Sequence, residues 1–140
     1  MMKQTMQRIS VFTLMAIALG TSPSMGFDQE EFERLKSTLV CVDCDLSGVD
    51  LTNSFLAGAT LFRSNLSGAN LTNADLFGAD LTDVNLTGAN LSGANLGNSR
   101  LVDANLTDAD ISGAVFDSAI ICKTTMPDGK IDNSGCGLAE

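Results

Sequence analysis

Four cysteines are the residues of this 140-residue chain whose type and spacing could carry chemistry. Cys41 and Cys44 form a C-x-x-C pair, whereas Cys122 and Cys136 lie fourteen positions apart. A C-x-x-C pair serves in thioredoxin-like redox sites and in zinc sites, but an even number of cysteines in an exported chain favours disulfides. The chain has no histidine to complete a zinc site and no second close cysteine pair. We therefore interpret the cysteines as two structural disulfides, for which three connectivities are possible.

The remaining composition argues against an enzyme. No serine or cysteine has a histidine base, and no pair of carboxylates is marked by a surrounding apolar pocket. The aspartates of residues 44–123 lack the glycine-rich nonapeptide of calcium-binding β-rolls, so we interpret them as residues that solubilise the surface. The sequence therefore predicts no catalytic residue, no metal site and no cofactor.

The first residues have the layout of a secretory signal peptide. Lys3 and Arg8 precede an apolar run at 9–19, and small and turn-forming residues follow up to Gly26. The run of eleven residues is too short for a membrane-spanning helix, which needs about 20. Cleavage near Gly26 removes two of the eight basic residues and leaves six against 17 acidic ones. We expect an exported chain that repels nucleic acid and makes no stable membrane insertion after cleavage.

A five-residue period runs through most of the chain, as in Leu86, Leu91 and Leu96. This period would scatter the leucines around an α-helix and flip them between the two faces of a long strand. The residue two before each leucine is small, so both side chains point inward only if the chain turns a corner once per unit. Sixteen units, centred from Leu46 to Ile121, therefore predict four square coils.

The repeated unit resembles the pentapeptide-repeat family, with its motif A(D/N)LXX, over residues 44–123. The resemblance implies an all-β solenoid, a right-handed quadrilateral β-helix. The flanking segments, Cys41 to Gly48 and Thr124 to Gly129, are similar to exported family members of the cyanobacterial periplasm and thylakoid lumen. The family implies the fold strongly and the function weakly.

The predicted organisation has four parts: a signal peptide at 1–26, an N-terminal capping helix and its connection at 27–43, the repeats at 44–123, and a C-terminal cap at 124–140. Asp28 is the expected N-cap of the helix, with Glu31 as its capping-box partner. Leu35 lies in the apolar stripe that should pack on the first coil. Ile131 and Leu138, with Met126, are expected to pack on the last coil.

The corners carry a second signal. Glycine or asparagine follows the central residue by two positions in ten of the twelve units on the first three faces, as turns with positive φ prefer. The fourth face has Arg63, Asp83, Asp103 and Lys123 at these positions. We therefore predict a different turn on the fourth face.

The coil arrangement also constrains the cysteines. Coils stack at about 4.8 Å, so Cys44 on the first coil and Cys122 on the fourth are separated by ~14 Å. A disulfide cannot bridge Cα atoms more than roughly 7 Å apart. The predicted pairs are therefore Cys41 with Cys44 and Cys122 with Cys136, and both would hold the ends of the solenoid.

Outward residues differ between the faces. Face 1 (centres 46, 66, 86, 106) and face 2 (51, 71, 91, 111) carry mostly Asp, Asn, Ser and Thr. Face 3 (56, 76, 96, 116) and face 4 (61, 81, 101, 121) also carry apolar residues, which predict an interface with a protein partner. The candidate interface residues are Phe55, Phe62, Phe77 and Val102. Val115 and Ile120 are expected to lie under the helix or the tail.

The sequence favours a monomeric, non-catalytic structural or protein-binding module of the periplasm or thylakoid lumen. One alternative is an acidic mimic of DNA that inhibits a topoisomerase, which the negative charge supports and the export signal opposes. Another is a binder of ice or carbohydrate, suggested by the serine and threonine columns of faces 1 and 2. Ordinary solvation explains those columns equally well.

Overall fold

The backbone of residues 40–125 repeats every twenty residues. The computed structural model describes residues 26–138, so the predicted signal peptide lies outside the described residues except for Gly26. Each parallel bridge joins a residue to the one twenty positions later, from Val40 with Thr60 to Asn105 with Thr125. Four five-residue faces therefore make one coil, and successive coils lie directly above one another.

The corners of the first fifteen units are closed by the same tight turn, whereas at the sixteenth the Ile121 carbonyl accepts from the Gly135 amide. The amide of Ala89 donates to the carbonyl of Leu86 at 3.0 Å, and Gly88, between them, has a φ of 66°. The prediction of a different turn on face 4 is wrong, because the corresponding φ values are also positive: Arg63 55°, Asp83 56°, Asp103 56° and Lys123 51°.

The stacked coils explain why non-glycine residues accept this conformation. The amide of Arg63 donates to the carbonyl of Thr82 at 3.0 Å, in the same way that Gly48 donates to Ser67 at 2.8 Å. A left-handed conformation costs a residue with a Cβ about 1–2 kcal/mol. The hydrogen bonds to the next coil hold the backbone there in spite of that cost.

Leucine and alanine columns fill the interior. The thirteen central leucines from Leu46 to Leu106 are buried, and the small residues two positions earlier are also buried on most units. Inward polar residues are satisfied: the Ser99 hydroxyl donates to the carbonyl of Leu96 at 2.6 Å. On the last coil, Ile111 and Phe116 are only partly buried. The core is therefore closed more completely at its first coil than at its last.

Helix α1, Gln29–Thr38, lies on the first coil. Asp28 is its N-cap and accepts from the Glu31 amide at 3.1 Å, as predicted, and Leu35 is fully buried. The capping-box role of Glu31 is wrong, because its Oε2 accepts from the Asp45 amide at 2.5 Å. The Asp28 amide donates to the Asp45 carbonyl at 2.9 Å. Both backbone groups of Asp45, which no earlier coil can pair, are thereby satisfied.

The segment after the repeats folds back on the last coil. Strands β1, Thr124–Thr125, and β2, Ile131–Asp132, pair antiparallel, and a 3₁₀ helix spans Cys136–Leu138. The amide of Gly135 donates to the carbonyl of Ile121 at 2.7 Å.

The predicted packing of this tail holds only in part. Met126 is partly buried, but Ile131 is 65% exposed, so the expectation that Ile131 packs on the last coil is wrong. The Leu138 side chain lies outside the described residues. Across residues 26–138 the structure contains no helix that is long and apolar enough to cross a membrane.

Candidate functional site: apolar columns on two faces of the solenoid

The polar columns of faces 1 and 2 are hydrogen-bonded within each unit. The Thr87 hydroxyl donates to Asn85 Oδ1 at 2.6 Å, and the Thr87 amide donates to the same oxygen at 3.0 Å. Ser92 makes the same two bonds to Asn90, at 2.7 and 2.9 Å. Because these hydroxyl protons are used internally, the columns offer few free donors to a carbohydrate or to ice.

The same motif acts on two aspartates of face 2. The Thr52 hydroxyl, and after it the Thr52 amide, lowers the pKa of Asp50 by donating to its carboxylate. Ser112 lowers the pKa of Asp110 in the same way. Hydrogen bonds to the ionised form of a carboxylate favour that form. Both carboxylates therefore stay ionised at neutral pH. This arrangement suits a solvated surface and not a general acid.

Face 4 carries a mostly apolar column, interrupted by one threonine, which we call the face-4 column. It runs through the outward positions one after each centre: Val42, Phe62, Thr82 and Val102. Val42 is 41% exposed, whereas Phe62 and Val102 are partly buried. The Thr82 hydroxyl oxygen is buried without a hydrogen-bond partner among the described residues. The structure thus places two predicted interface residues, Phe62 and Val102, in one column two coils apart.

The two other predicted residues lie on face 3, in separate columns. Phe55 is 85% exposed on the first coil, and Phe77 is 46% exposed on the second. The Phe77 ring lies over Gly97, where an added Cβ would come within 3.1 Å of the ring. Val115 is 42% exposed, so the expectation that it is covered is wrong, while Ile120 is partly buried.

Sequence reasoning missed Val40 and Val42, which are 47% and 41% exposed. They precede the first complete repeat unit, but the bridge between Val40 and Thr60 extends the twenty-residue register to them. Projecting that register backwards from residue 60 could have found both.

All three basic residues of the repeats lie on face 4: Arg63, Arg100 and Lys123. Arg63 forms a two-pronged ion pair with Asp43, at 2.7 and 2.6 Å, which lowers the pKa of Asp43 and raises that of Arg63. Its guanidinium also lies 5.0 Å from the centre of the Phe62 ring. The face-4 column therefore has a charged border beside its largest apolar side chain.

The structure joins the cysteines as Cys41–Cys44 and Cys122–Cys136, with Cα atoms 5.5 and 4.6 Å apart. Arg34 of helix α1 places Nη2 3.0 Å from Cys44 Sγ and 3.9 Å from Cys41 Sγ. Within the described part of the chain, no group of histidine, cysteine and acidic residues is arranged to hold a metal ion.

Comparison with protein families matches pentapeptide repeats, in eight copies, over residues 41–78 and 79–117. A comparison with curated proteins found no match. Among solved structures, the chain is similar to HetL, a pentapeptide repeat protein involved in heterocyst differentiation regulation from the cyanobacterium Nostoc sp. strain PCC 7120. The identity is 38% and the TM-score 0.65, over 66% of this chain and 43% of HetL. This chain therefore spans under half of the HetL chain.

Two further structures are similar. A pentapeptide repeat protein from the Arabidopsis thaliana thylakoid lumen is 32% identical, with a TM-score of 0.52, over 65% of this chain and 67% of that one. QnrB1, a plasmid-mediated fluoroquinolone resistance protein, is 28% identical, with a TM-score of 0.58. That match covers 61% of this chain and 41% of QnrB1. The fold that these proteins share is a right-handed β-helix.

Proposed function

The chain belongs to the pentapeptide-repeat family, and from this premise we propose that it is a non-catalytic, protein-binding module of an exported compartment. In this proposal residues 1–26 are the signal peptide and residues 44–123 form four coils. One end of the coils is closed by α1 and its connection, 27–43, and the other by the tail, 124–140. The two disulfides hold these ends. The module itself acts as a monomer that presents its surface to one protein partner.

The exposed phenylalanines are the observation that carries the proposal. Phe55 is 85% exposed and Phe77 46%, on a surface where faces 1 and 2 carry polar side chains bonded to one another. Exposed apolar area on a soluble protein usually marks an interface, and aromatic residues contribute most to binding. The face-4 column adds Phe62 and Val102, with the Arg63–Asp43 pair at its border.

The compartment is supported by three observations. Residues 1–26 have the layout of a signal peptide. Disulfides persist in oxidising compartments, and both cysteine pairs are bonded. One similar structure is that of a thylakoid-lumen protein. We propose the thylakoid lumen or the periplasm as the site of action.

Proximity labelling tests the proposal. A peroxidase fused to the C-terminus is expressed in the native compartment, and labelled proteins are compared between the wild type and the double variant Phe55→Ser, Phe77→Ser. We expect one protein to be labelled strongly by the wild type and several-fold less by the variant. The control is Ile131→Ser, since Ile131 is 65% exposed but lies on the tail.

The control variant should label the partner as the wild type does. Circular dichroism of each variant checks that the fold is retained. Equal labelling by the wild type, the double variant and a second double variant, Phe62→Ser with Val102→Ser, would contradict the proposed interface.

A second candidate is an acidic mimic of DNA that inhibits a topoisomerase. The observations that favour it are the net charge of −9, the absence of basic residues from the repeats of faces 1 to 3, and the similarity to QnrB1. Purified chain from residue 26 onward would be added to a DNA gyrase supercoiling assay. Inhibition at micromolar concentration that salt weakens would support this function, and unchanged supercoiling would remove it.

A further inference from the structure

The two sulfurs of the Cys41–Cys44 pair have different surroundings. Arg34 Nη2 is 3.0 Å from Cys44 Sγ and 3.9 Å from Cys41 Sγ. The nearest carbonyl oxygens are that of Glu31, 3.4 Å from Cys41 Sγ, and that of Val42, 3.7 Å from Cys44 Sγ. The Arg34 side chain also pairs with the Glu31 carboxylate at 3.6 Å. Negative charge that develops on a sulfur is therefore stabilised better at Cys44, which is nearer the guanidinium and farther from a carbonyl oxygen, than at Cys41.

We propose that Cys41–Cys44 is a thiol–disulfide exchange site that accepts two electrons from a dithiol donor, with Cys44 as the leaving thiolate. Thiolates are stabilised next to arginine, and a better stabilised leaving thiolate leaves faster. The inference goes beyond the proposed partner-binding function. The chain is the substrate of the exchange and turns over nothing.

The exchange is balanced in two steps. A thiolate of the donor attacks Cys41 Sγ, a donor–Cys41 disulfide forms, the bond to Cys44 breaks, and its electron pair stays on Cys44 Sγ beside Arg34. The second thiol of the donor, as its thiolate, then attacks the donor sulfur of the mixed disulfide. The donor leaves as an oxidised disulfide, and Cys41 Sγ takes up a proton next to the Glu31 carbonyl.

Hydrogen bonds to the next coil hold the backbone around the pair in addition to the disulfide. The Ser64 hydroxyl donates to the Cys41 carbonyl at 2.7 Å and accepts from the Cys44 amide at 3.0 Å. Both bonds reach the next coil and contain no sulfur. Reduction therefore leaves Cys44 within reach of Arg34, so that the reduced state keeps its stabilising contact.

Access to the pair requires a local movement of α1. Cys41 and Cys44 are only 1% and 2% exposed, but the side chain of Arg34, which lies against them, is 51% exposed. In this proposal a local opening of α1 from the first coil admits the donor to Cys41 while Arg34 stays beside Cys44. The positive charge of Arg34 also attracts the donor thiolate.

The second disulfide provides a comparison within the same molecule. Its Cys136 Sγ lies 3.6 Å from Asn133 Oδ1, an oxygen that carries no positive charge. The arginine beside Cys44 therefore predicts that Cys41–Cys44 is reduced before Cys122–Cys136.

A redox titration of the wild type tests this order. The protein from residue 26 onward is equilibrated in buffers of graded reduced to oxidised dithiothreitol, quenched with acid and alkylated, and each cysteine is quantified by peptide mass mapping. We expect Cys41–Cys44 to be half reduced at a ratio of reduced to oxidised dithiothreitol at least about tenfold lower than Cys122–Cys136, the value of one charge-assisted hydrogen bond. Reduction of the two pairs together, or of Cys122–Cys136 first, would overturn the proposal.

Variants of α1 separate the role of Arg34 from a general effect of helix charge. Arg34→Gln should raise the reduced to oxidised dithiothreitol ratio needed for Cys41–Cys44 at least about tenfold, the value of one charge-assisted hydrogen bond, and leave Cys122–Cys136 unchanged. Arg34→Lys should restore part of the shift. Lys36→Gln is the matched control, because Lys36 contacts Glu33 at 3.6 Å and the Phe32 ring at 5.1 Å.

A second readout follows the thiolate itself. In the reduced Cys122→Ser, Cys136→Ser background, the ultraviolet absorbance of the thiolate is followed against pH. The parent should keep its thiolate to a lower pH than Arg34→Gln, because the guanidinium stabilises the charged sulfur. Identical pH profiles for the parent and for Arg34→Gln, or a shift in Lys36→Gln equal to that in Arg34→Gln, would refute the role of Arg34.

Discussion

Replacement of Leu76 by alanine tests the stacked core most directly. Leu76 is fully buried in the face-3 column between Leu56 and Leu96. Removing three carbon groups loses about 2.4 kcal/mol of transfer free energy, at about 0.8 kcal/mol each. The cavity that remains adds to this loss to the extent that the neighbours cannot close it.

The neighbours of Leu76 have little freedom to move along the column. The Leu56 amide donates to the Asp75 carbonyl at 2.7 Å, and the Leu76 amide donates to that of Asn95 at 2.8 Å. These ladders fix the distance between coils, so the void persists. We therefore expect Leu76→Ala to lower the free energy of unfolding by about 3 to 5 kcal/mol, towards the top of the range for such substitutions.

Urea denaturation followed by circular dichroism, with the disulfides intact, measures this loss. Asn90→Ala is the control, because Asn90 points outward and its side-chain oxygen accepts only from Ser92. Its cost should stay within about 1.5 kcal/mol. A loss below about 1 kcal/mol for Leu76→Ala, or equal losses for the two variants, would refute the assignment of inward and outward positions.

Three further predictions concern the corners, the first coil and acid pH. Gly88→Ala should destabilise the protein by about 1 kcal/mol and Asp83→Gly should stabilise it by up to about 1 kcal/mol, because both residues have positive φ. Urea denaturation measures both changes, and shifts of the same sign would contradict the turn geometry. Glu31→Ala should speed hydrogen exchange of the Asp45 amide at least about tenfold, because that amide loses its acceptor, whereas Glu33→Ala, which removes a surface partner of Lys36, should not. Ser112→Ala should raise the pKa of Asp110 towards its ordinary value by removing the hydroxyl that lowers it. A lowered carboxyl pKa contributes stability that is present above about pH 3.9 and is lost as pH falls through the lowered pKa, so the variant should lose less stability on acidification. Carboxyl NMR titration measures this change, and a pKa of Asp110 that does not move while Thr52 still lowers that of Asp50 would contradict the assigned cause.

The candidate site was partly predictable. Apolar residues at outward positions identified Phe55 and Phe77 directly, since the five-residue register alone decides which positions face out. Whether an outward residue is covered depends on where the tail lies, and the tail has no register. For this reason Val115 was expected to be covered and is exposed, and Ile131 was expected to pack and is exposed.

The sequence by itself determined the repeat and its inward positions. A period of five with a small residue two before each leucine has one compact solution, because only a corner in every unit buries both side chains together. The same register separates Cys44 from Cys122 by three coils, and the structure joins the pairs that this separation leaves.

Only the tertiary structure decided the contacts that cross between separate segments. Arg63 and Asp83 take the turn of glycine because hydrogen bonds to the next coil hold them in it. The Glu31 carboxylate accepts from the amide of Asp45 and not from that of Asp28, and Arg34 reaches Cys44, because α1 lies on the first coil. Local propensity describes a residue and its neighbours in the chain, whereas these partners are set by stacking, which brings together groups that the sequence keeps apart.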